Sequence, residues 1–389
     1  MKTPVSITGL SSVSPLGSNT EAIWESYLSD RHFITYGDYT GEQVPVSKLS
    51  ETTRKLVEDL KKENQHYKDL DNSVLYAIIA SRETVRQAKW DNTSDFGVNI
   101  GSSRGATGLF EKYFTEFLQK NKVSTLSSPT TTLGNISSWV AQDLKTKGPE
   151  ISHSITCSTA LHAVLNGITW LKSGFTDKFL VGGSEAPLTP FTIAQMKALK
   201  IYADSKIKEY PCEAMNLKKE RNSMFLGEGA GAICLEDGVR ENALAIIQGV
   251  GYATEPLKHN ISISANADCF QTSMKMAIKS IKPDNVDIIV MHSPGTVKGD
   301  QAEYNAVKKV FGDNCPAVTT NKWKIGHTFG ASGILSLELA VLMLKYQNFI
   351  KIPYLKDQKQ PKKIENILVN AVGFGGNAVS ILVQKTDKN

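Results

Sequence analysis

The chain has 389 residues, enough for two ordinary domains or for one large duplicated domain with a sizeable core. A hydrophobic content of 41% and a charged content of 21% are typical of a globular protein and exclude a disordered or collagen-like chain. The net charge of +5 is too small and too dispersed to indicate a nucleic-acid partner, although it suits an acidic protein partner.

The cysteines and the apolar segments indicate a reduced, cytoplasmic protein. The first residues lead directly into a strand-like segment at 5–9, without the pattern of a signal peptide. The longest apolar segment, 334–344, is short and carries Glu338, so we expect no membrane span. Five scattered cysteines show neither a CxxC pair nor a zinc-binding spacing, so no metal is indicated; they are Cys157, Cys212, Cys234, Cys269 and Cys315.

The first part of the chain alternates between strand-like and helix-like patterns. Ser18 and Glu21 form a capping-box pattern at the start of a helix, and residues 123–132 predict a polar loop. We expect strands at 5–10, 96–100, 151–156, 178–181 and 232–235, and helices at 21–28, within 50–72, at 73–88, 110–118, 133–144, 158–171 and 192–199.

Two glycine-rich segments superficially suggest nucleotide binding, and both fail on context. Residues 101–108 follow a strand but lack the Gly-Lys-Ser/Thr of a phosphate loop. Residues 225–232 contain GxGxG, yet a strand follows where a dinucleotide site needs a helix. We therefore interpret the second segment as close backbone packing.

A second cycle of elements begins near residue 243. We expect strands at 245–252, 288–292, 367–372 and 379–383, and helices at 270–281, 301–311 and 333–344. This alternation predicts an α/β fold with mostly parallel sheets.

Cys157 lies at the junction between a predicted strand and a predicted helix. The first N–H groups of a helix lack intrahelical partners, and the helix dipole there favours a thiolate. The same donors can hold the oxyanion that forms when sulfur attacks an acyl carbon. Taken alone, this cysteine is more simply a buried, inert residue at the start of a core helix.

Two histidines far along the chain favour the catalytic interpretation. His292 ends a predicted buried strand, which is where α/β sheets place their sites. His327 lies among glycines and other small residues before an apolar helix, where backbone and ligand can approach closely. Each histidine alone is more often structural, but together with Cys157 they form a coherent site.

These motifs resemble those of the elongating β-ketoacyl-acyl carrier protein synthases of the thiolase superfamily, over essentially residues 3–385. The matching residues, in the family's order and spacing, are Thr156-Cys157-Ser158-Thr159-Ala160, Gly227-Glu228-Gly229-Ala230-Gly231, His292 with Gly299-Asp300 and Glu303, Lys322 with Gly326-His327, and Gly373-Phe374-Gly375-Gly376. The resemblance implies a thiolase-like five-layer α-β-α-β-α fold from two similar halves. Residues 1–240 would carry the nucleophile Cys157, and residues 241–389 would carry His292 and His327.

The resemblance also implies the chemistry. Cys157 would take an acyl chain from the phosphopantetheine arm of an acyl carrier protein, and the acyl-Cys157 would undergo decarboxylative Claisen condensation with malonyl carrier protein. His292 and His327 would stabilise the enolate oxygen and position the thioester. The pathway would be fatty acid elongation or polyketide/polyene elongation, with no permanently bound cofactor.

Further site residues follow from the same resemblance. Lys322 would support the histidines together with Glu303. Phe374 would act as a gate, and its N–H would share the oxyanion hole with that of Cys157. Thr296 would contact the pantetheine, and Asp300 would shape the turn after His292.

Three positions depart from the family pattern. Pro294 replaces the first pantetheine threonine, and Ser336 stands where a glutamate is usual. Arg104 occupies a position near the base of the acyl tunnel that is usually apolar. A cation beside a plain alkyl chain is costly unless it is paired, so we expect Arg104 either to point into an ion pair or to mark an unusual substrate.

The partners and the rival functions remain open at this level. Lys122, Lys197 and Lys200 could receive an acidic carrier protein or could be solvated surface. A dimer is implied, either of identical chains or with a second ketosynthase-like subunit. The main alternative is a non-catalytic, chain-length-determining partner subunit, which usually lacks the nucleophile. A degradative thiolase would need a second cysteine near residue 373, and an initiating synthase would have an asparagine in place of one histidine.

Overall fold

The structure is a computed structural model that describes residues 4–39, 41–90, 95–133, 135–204, 209–256 and 263–386. The strands are β1 Val5–Val13, β2 Thr35–Tyr39, β3 Glu42–Ser47, β4 Gly97–Gly101, β5 Glu150–Ile151, β6 Lys178–Glu185, β7 Leu226–Gly227, β8 Gly229–Asp237, β9 Ala245–Thr254, β10 Ile288–Val290, β11 Ala317–Thr319, β12 Asn366–Gly373 and β13 Asn377–Gln384. The helices are α1 Thr20–Leu28, α2 Glu51–Glu63, α3 Asn72–Ala88, α4 Thr107–Lys120, α5 Ser127–Thr131, α6 Asn135–Leu144, α7 Thr159–Ser173, α8 Pro190–Ala198, α9 Asp268–Ala277, α10 Val297–Phe311, α11 Lys322–Ile325 and α12 Ser332–Tyr346.

Two five-stranded sheets repeat one topology. The first has the order β1-β8-β6-β4-β5, and the second has the corresponding order β9-β13-β12-β10-β11. In both sheets the three strands at one side pair in parallel, whereas β8 and β13 run antiparallel to both of their neighbours. The prediction of mostly parallel pairing is therefore wrong. A tight turn between β12 and β13 makes those two strands a hairpin, which can only be antiparallel.

Helices cover both faces of each sheet and produce five layers. Helices α7 and α12 pack between the sheets in one apolar cluster that includes the inward faces of β6 and β12. Helices α3 and α6 cover the outer face of the first sheet, and α9 and α10 cover the outer face of the second. The expected α/β, five-layer α-β-α-β-α fold from two similar halves is confirmed.

Helix α12 is apolar on all sides because both sheets enclose it. Together with the short turn before it, the segment Phe329–Tyr346 is long and apolar enough to cross a membrane by length and composition, but 89% of it is buried inside the protein. It is longer than the segment expected from the sequence. Its environment is that of a core helix.

The glycine-rich segment at 225–232 serves close packing, as predicted. A Cβ atom on Gly227 would lie 2.0 Å from the carbonyl oxygen of Ile325, and one on Gly231 would lie 2.9 Å from the side chain of Ile334. Gly229 additionally has a φ of +152°. These contacts bring the first half against α12 and against the segment that precedes it.

Several local predictions differ from the structure. The N-cap of α1 is Asn19, whose side chain accepts from the N–H of Ala22, and not Ser18. Asparagine is as good a cap as serine, so the capping-box pattern was ambiguous by one position. The expected loop at 123–132 contains the short helix α5. The small sheet β2-β3-β7 was not predicted, because β7 has only two residues.

Glu338 is a buried carboxyl group in α12, so its effect on stability should depend on pH. Its carboxyl group accepts a hydrogen bond from Ser12 Oγ at 2.9 Å, and burial raises its pKa from 4.5 to about 7. Folding thus favours the protonated acid, so this contribution to stability is complete below pH 4.5 and is lost as the pH rises through 7. We expect Glu338→Gln to gain stability relative to the wild type over that interval, by roughly 1–3 kcal/mol.

Urea unfolding at pH 4.5 and at pH 8 measures this difference. Exposed Glu25 in α1 offers a matched control, and Glu25→Gln should produce no gap that grows with pH. A Glu338→Gln variant whose stability stays at a constant offset from the wild type would contradict the prediction.

Candidate active site

Cys157 is presented by a tight irregular turn and not by a strand. Strand β5 ends at Ile151, so the predicted strand to Thr156 is wrong. Thr156 has a φ of +47°, which is an uncommon conformation for a β-branched residue. The Thr159 hydroxyl holds it there, because it donates to the Thr156 carbonyl at 2.6 Å and accepts from the Ile155 N–H at 2.8 Å. Helix α7 then begins two residues after the sulfur.

The thiol of Cys157 is protonated in the resting protein. Only 5% of the residue is exposed, and burial together with the negative charge of Glu185 raises the pKa of the thiol to about 12. Lys322 and Arg104 act in the opposite direction with smaller effect. The expected effect of the helix N-terminus on the thiolate is thus opposed by the desolvation of the anion.

His292 and His327 form an edge-to-face pair beside the nucleophile. Their ring centroids are 5.1 Å apart with an interplanar angle of 87°. Burial and the nearby charge of Lys322 lower the pKa of His327 to about 3, and burial, His327 and Lys322 lower the pKa of His292 as well. Both imidazoles are therefore neutral at pH 7. Within the described residues, Nδ1 of each ring is buried and has no hydrogen-bond partner.

Glu303 holds the loop that carries His292. Its carboxylate accepts from the N–H groups of His292 at 2.9 Å and Ser293 at 2.8 Å, and from Asn370 Nδ2 at 3.2 Å. Burial raises its pKa to about 7. Because Ser293 has a φ of +21°, these hydrogen bonds keep an unusual backbone in place.

Lys322 is buried, and none of the described carboxylates is in direct contact with its ammonium. Its ammonium donates to Asn321 Oδ1 at 3.0 Å and to Ser336 Oγ at 3.2 Å. The expected support by Glu303 is electrostatic only: burial lowers the pKa of Lys322 to about 8, and the charge of Glu303 opposes that shift. Ser336, noted above as a departure from the family pattern, is thus a neutral partner for this lysine. Glu338 does face elsewhere, towards Ser12.

The turn between β12 and β13 brings Phe374 against the nucleophile turn. The Phe374 carbonyl accepts from Thr156 Oγ1 at 3.3 Å, and its ring is 36% exposed. Gly375 and Gly376 have positive φ values of +104° and +70°, which the tight turn requires.

Thr296 is the N-cap of α10, where its hydroxyl oxygen accepts from the Gly299 N–H at 3.2 Å. A threonine hydroxyl has one donor as well as two acceptor lone pairs. The proton of Thr296 therefore remains available to a ligand.

One cavity of about 1140 Å³ collects most of the expected site. Its walls are mainly apolar, with few polar groups, as is usual for small-molecule sites. The expected site residues that line it are Cys157, His292, Thr296, Glu303, His327 and Phe374. Lys322 does not line it and acts on it through its charge.

Glu185, which the sequence analysis missed, lies at the end of β6. One carboxylate oxygen accepts from Ser102 Oγ at 2.9 Å and from the N–H groups of Arg104 and Gly330 at 3.3 Å each. Burial raises its pKa to about 7. The sequence did contain a signal for Glu185, because this carboxylate follows a buried apolar strand, and α/β sheets place their sites at strand ends.

Arg104 forms no ion pair with any residue that the structure describes, so the first of its two expected explanations finds no support there. Its guanidinium hydrogen-bonds to neutral Gln195 Oε1 and lies 5.4 Å from the ring centroid of Phe329. Phe329, also missed from the sequence, lines the cavity.

Asp300 has the structural role expected for it, and two further histidines lie outside the proposed chemistry. Asp300 accepts from the Gly295 N–H at 3.0 Å and from Lys219 Nζ at 2.6 Å, so it shapes the turn after His292. His162 Nδ1 lies 3.1 Å from the Ser158 carbonyl oxygen. His259 lies outside the described residues. No group of three or more potential metal ligands occurs among the residues that the structure describes.

Solved ketosynthases share this fold. The ishigamide ketosynthase/chain length factor matches with a TM-score of 0.84 at 19% identity, over 99% of both chains. A type II polyketide ketosynthase, solved in complex with its acyl-carrier protein and bound to a hexaketide, also matches with a TM-score of 0.84 at 19% identity, over 99% of this chain and 100% of that chain. These likenesses show that the chain has a thiolase-like fold.

The sequence comparisons give the family. The model of the β-ketoacyl synthase N-terminal domain matches residues 2–239, and that of the C-terminal domain matches residues 244–354. The protein named 3-oxoacyl-[acyl-carrier-protein] synthase 2 of Coxiella burnetii is 27% identical over 99% of both chains. The chain belongs to the β-ketoacyl synthase family.

The raised pKa of Cys157 predicts its reactivity. The thiolate is the reactive form, and its fraction grows tenfold per pH unit below the pKa. We expect alkylation of Cys157 by iodoacetamide to be slow at pH 7 and to accelerate about tenfold per unit up to pH 9. Peptide mass mapping gives the rate at this residue, with half-buried Cys315 as the internal comparison. A rate that levels off near pH 7 would show instead that the helix N-terminus dominates.

Proposed function

We propose that this protein is an active β-ketoacyl-ACP synthase that catalyses decarboxylative Claisen condensation of an acyl chain with malonyl-ACP. The observation that carries the proposal is one cavity containing a thiol at a helix start and two neutral imidazoles. A thiol that forms a covalent acyl intermediate divides the condensation into two easier steps.

In the first step, Cys157 Sγ attacks the thioester carbonyl of the acyl carrier protein. The Sγ–acyl bond forms, the pantetheine C–S bond breaks, and the thiol proton ends on the released pantetheine sulfur. Because the pKa of the free thiol is about 12, the proton leaves only as attack proceeds. We infer that the backbone N–H groups of Cys157 and Phe374 hold the carbonyl oxygen. The hydrogen bond between the two turns, from Thr156 Oγ1 to the Phe374 carbonyl, supports this inference.

In the second step, malonyl-ACP loses carbon dioxide, and the resulting enolate carbon attacks the carbonyl carbon of acyl-Cys157. A C–C bond forms, the Sγ–acyl bond breaks, and β-ketoacyl-ACP leaves, while the released Cys157 thiolate takes up a proton from solvent. A neutral imidazole has one N–H donor, and the low pKa values of His292 and His327 keep both rings neutral. They can therefore donate hydrogen bonds to the enolate oxygen without bringing positive charge into the apolar cavity. Glu303 positions His292 through a hydrogen bond from the His292 N–H. Lys322 lies outside the cavity lining, and its positive charge stabilises the developing negative charge.

The cavity suits the phosphopantetheine arm of a carrier protein. Thr296 retains a hydroxyl donor for an amide carbonyl, while Pro294, the departure noted above, provides none. Exposed Lys200 and Lys298 line the outer part of the cavity and would attract an acidic carrier protein. Lys197 is instead paired with Glu42, and nothing in its surroundings assigns Lys122 a role.

We also propose a ketosynthase-fold partner that covers α4. This helix exposes an apolar face whose members are Phe110, Phe114, Phe117 and Leu118, and an exposed face of this kind marks an interaction surface. The relative solved as a ketosynthase/chain length factor supports a second subunit of the same fold.

Two smaller points complete the proposal. We place the boundary between the halves at residue 240, because the two family models end and begin on either side of that residue. We also propose a cytoplasmic location.

The second candidate function is the non-catalytic, chain-length-determining subunit of a heterodimer. The likeness to a ketosynthase/chain length factor and the neutral partner of Lys322 favour it. The presence of Cys157, His292 and His327 in one cavity favours the active synthase.

Acylation of Cys157 distinguishes these functions. We expect intact-protein mass spectrometry to show one acyl adduct after incubation with acyl-ACP thioesters, and none in Cys157→Ala. With malonyl-ACP added, the adduct should disappear and β-ketoacyl-ACP should form. Cys212→Ala, which removes another buried thiol, is the matched control and should still be acylated. Absence of any adduct in folded, dimeric protein would favour the non-catalytic subunit.

The apolar face of α4 can be tested separately. We expect the wild type to sediment as a dimer and Phe114→Glu to sediment as a monomer, because burying a carboxylate in an apolar interface is costly. Phe175→Glu is the control, since Phe175 is 81% exposed but lies outside this face. A wild type that is monomeric alone would mean that the partner is a different chain.

A further inference from the structure

A polar cluster lies directly behind the apolar wall of the cavity. Phe329 and Met196 line the cavity together with Cys157. Behind them, the guanidinium of Arg104 lies against the ring of Phe329 and hydrogen-bonds to Gln195, the residue before Met196 in α8. We call Arg104, Gln195 and Glu185 the inner polar cluster.

This cluster has hydrogen-bonding capacity that the described residues leave unused. Arg104 Nε and Glu185 Oε2 are buried and have no partner among them. Native proteins pair about nine in ten buried polar groups, and an unpaired atom of a charged group is especially unfavourable. The two residues are also neighbours, because the Arg104 N–H donates to Glu185 Oε1 at 3.3 Å. Two unpaired atoms at one place beside a substrate cavity indicate a polar group supplied by the ligand.

The cluster lies within electrostatic reach of the reacting sulfur. The charge of Glu185 raises the pKa of the Cys157 thiol, and the charge of Arg104 lowers it. An acyl chain attached to Cys157 and directed inward would run along Phe329 and Met196 towards the guanidinium. A plain alkyl chain in that position would exclude water from a cation and return no hydrogen bond.

We propose that Arg104 is a specificity-determining residue and that the preferred acyl chain carries an oxygen acceptor that binds the guanidinium. The substrate class is therefore an oxygenated acyl thioester, such as a hydroxyacyl chain, in preference to an unsubstituted alkyl thioester. This inference rests on the proposed synthase function, since it requires that Cys157 is acylated. Gln195 holds the guanidinium in the orientation that leaves buried Nε unpaired, and Glu185 fixes the Arg104 backbone.

Loading of Cys157 from pantetheine thioesters tests the proposal without a carrier protein. Butanoyl, hexanoyl and octanoyl thioesters are compared with their ω-hydroxy forms, and the adduct rate is measured by intact-protein mass spectrometry. We expect the wild type to favour the ω-hydroxy form at one chain length. Arg104→Met should lower this preference about tenfold to a hundredfold, which is the effect of losing one hydrogen bond to a charged group.

Two further variants control for charge and for folding. Lys279→Met removes an equal charge at an exposed position far from α8 in sequence, and it should keep the wild-type preference. Gln195→Leu leaves the arginine but removes its partner, so it should lower the preference in the same direction. If Arg104→Met does not fold, Gln195→Leu and the wild-type series still decide the question.

The outcomes separate this inference from the function on which it rests. Equal loading of hydroxylated and plain chains by the wild type would overturn the inference while supporting the synthase function. An unchanged preference in Arg104→Met would overturn the inference too. If that variant also sediments differently from the wild type, Arg104 would be assigned to the subunit interface. If no thioester loads onto folded protein, the proposed function fails and the inference fails with it.

Discussion

The burial of α7 and α12 between two sheets is the constraint on which the site depends. Both helices start at the same place in the molecule, so the central layer sets the nucleophile and one histidine side by side: Cys157 precedes α7, and His327 precedes α12. The second sheet completes the arrangement, because His292 follows β10 and Phe374 follows the adjacent strand β12. Apolar packing far from any reacting atom therefore determines the distances within the cavity.

The same burial sets the charges of the site. Removing water raises the pKa of Cys157, Glu185 and Glu303 and lowers that of Lys322 and both histidines. The neutral thiol and the two neutral imidazoles that result are suited to a reaction in which charge develops transiently, because hydrogen-bond donors in a dry cavity act strongly on a new anion. Lys322 and Arg104 are the cations retained nearby, and each has an uncharged hydrogen-bond partner, Ser336 or Gln195.

Most elements could be predicted, and the errors have physical causes. Long periodic segments such as α3 and α7 were placed within a few residues, because their apolar spacing is repeated over several turns. The strand before Cys157 was wrong because Ile155 and Thr156 are β-prone, while the hydroxyl of Thr159 imposes a positive φ on Thr156. Pairing direction within the sheets was wrong because it depends on strands distant in sequence. Glu185, by contrast, ends a buried strand that the sequence does predict, and only its contacts with Ser102 and Gly330 depend on distant segments.

The motifs alone were enough to predict the fold class, the family resemblance and the candidate residues Cys157, His292 and His327, because spacing within short motifs records local backbone requirements. How these residues act on one another became visible in the folded chain. The protonation of the thiol, the neutral partner of Lys322 and the contact of Arg104 with Phe329 and Gln195 arise between segments far apart in the chain. Desolvation and charge depend on the whole surroundings of an atom, and no linear motif contains those surroundings.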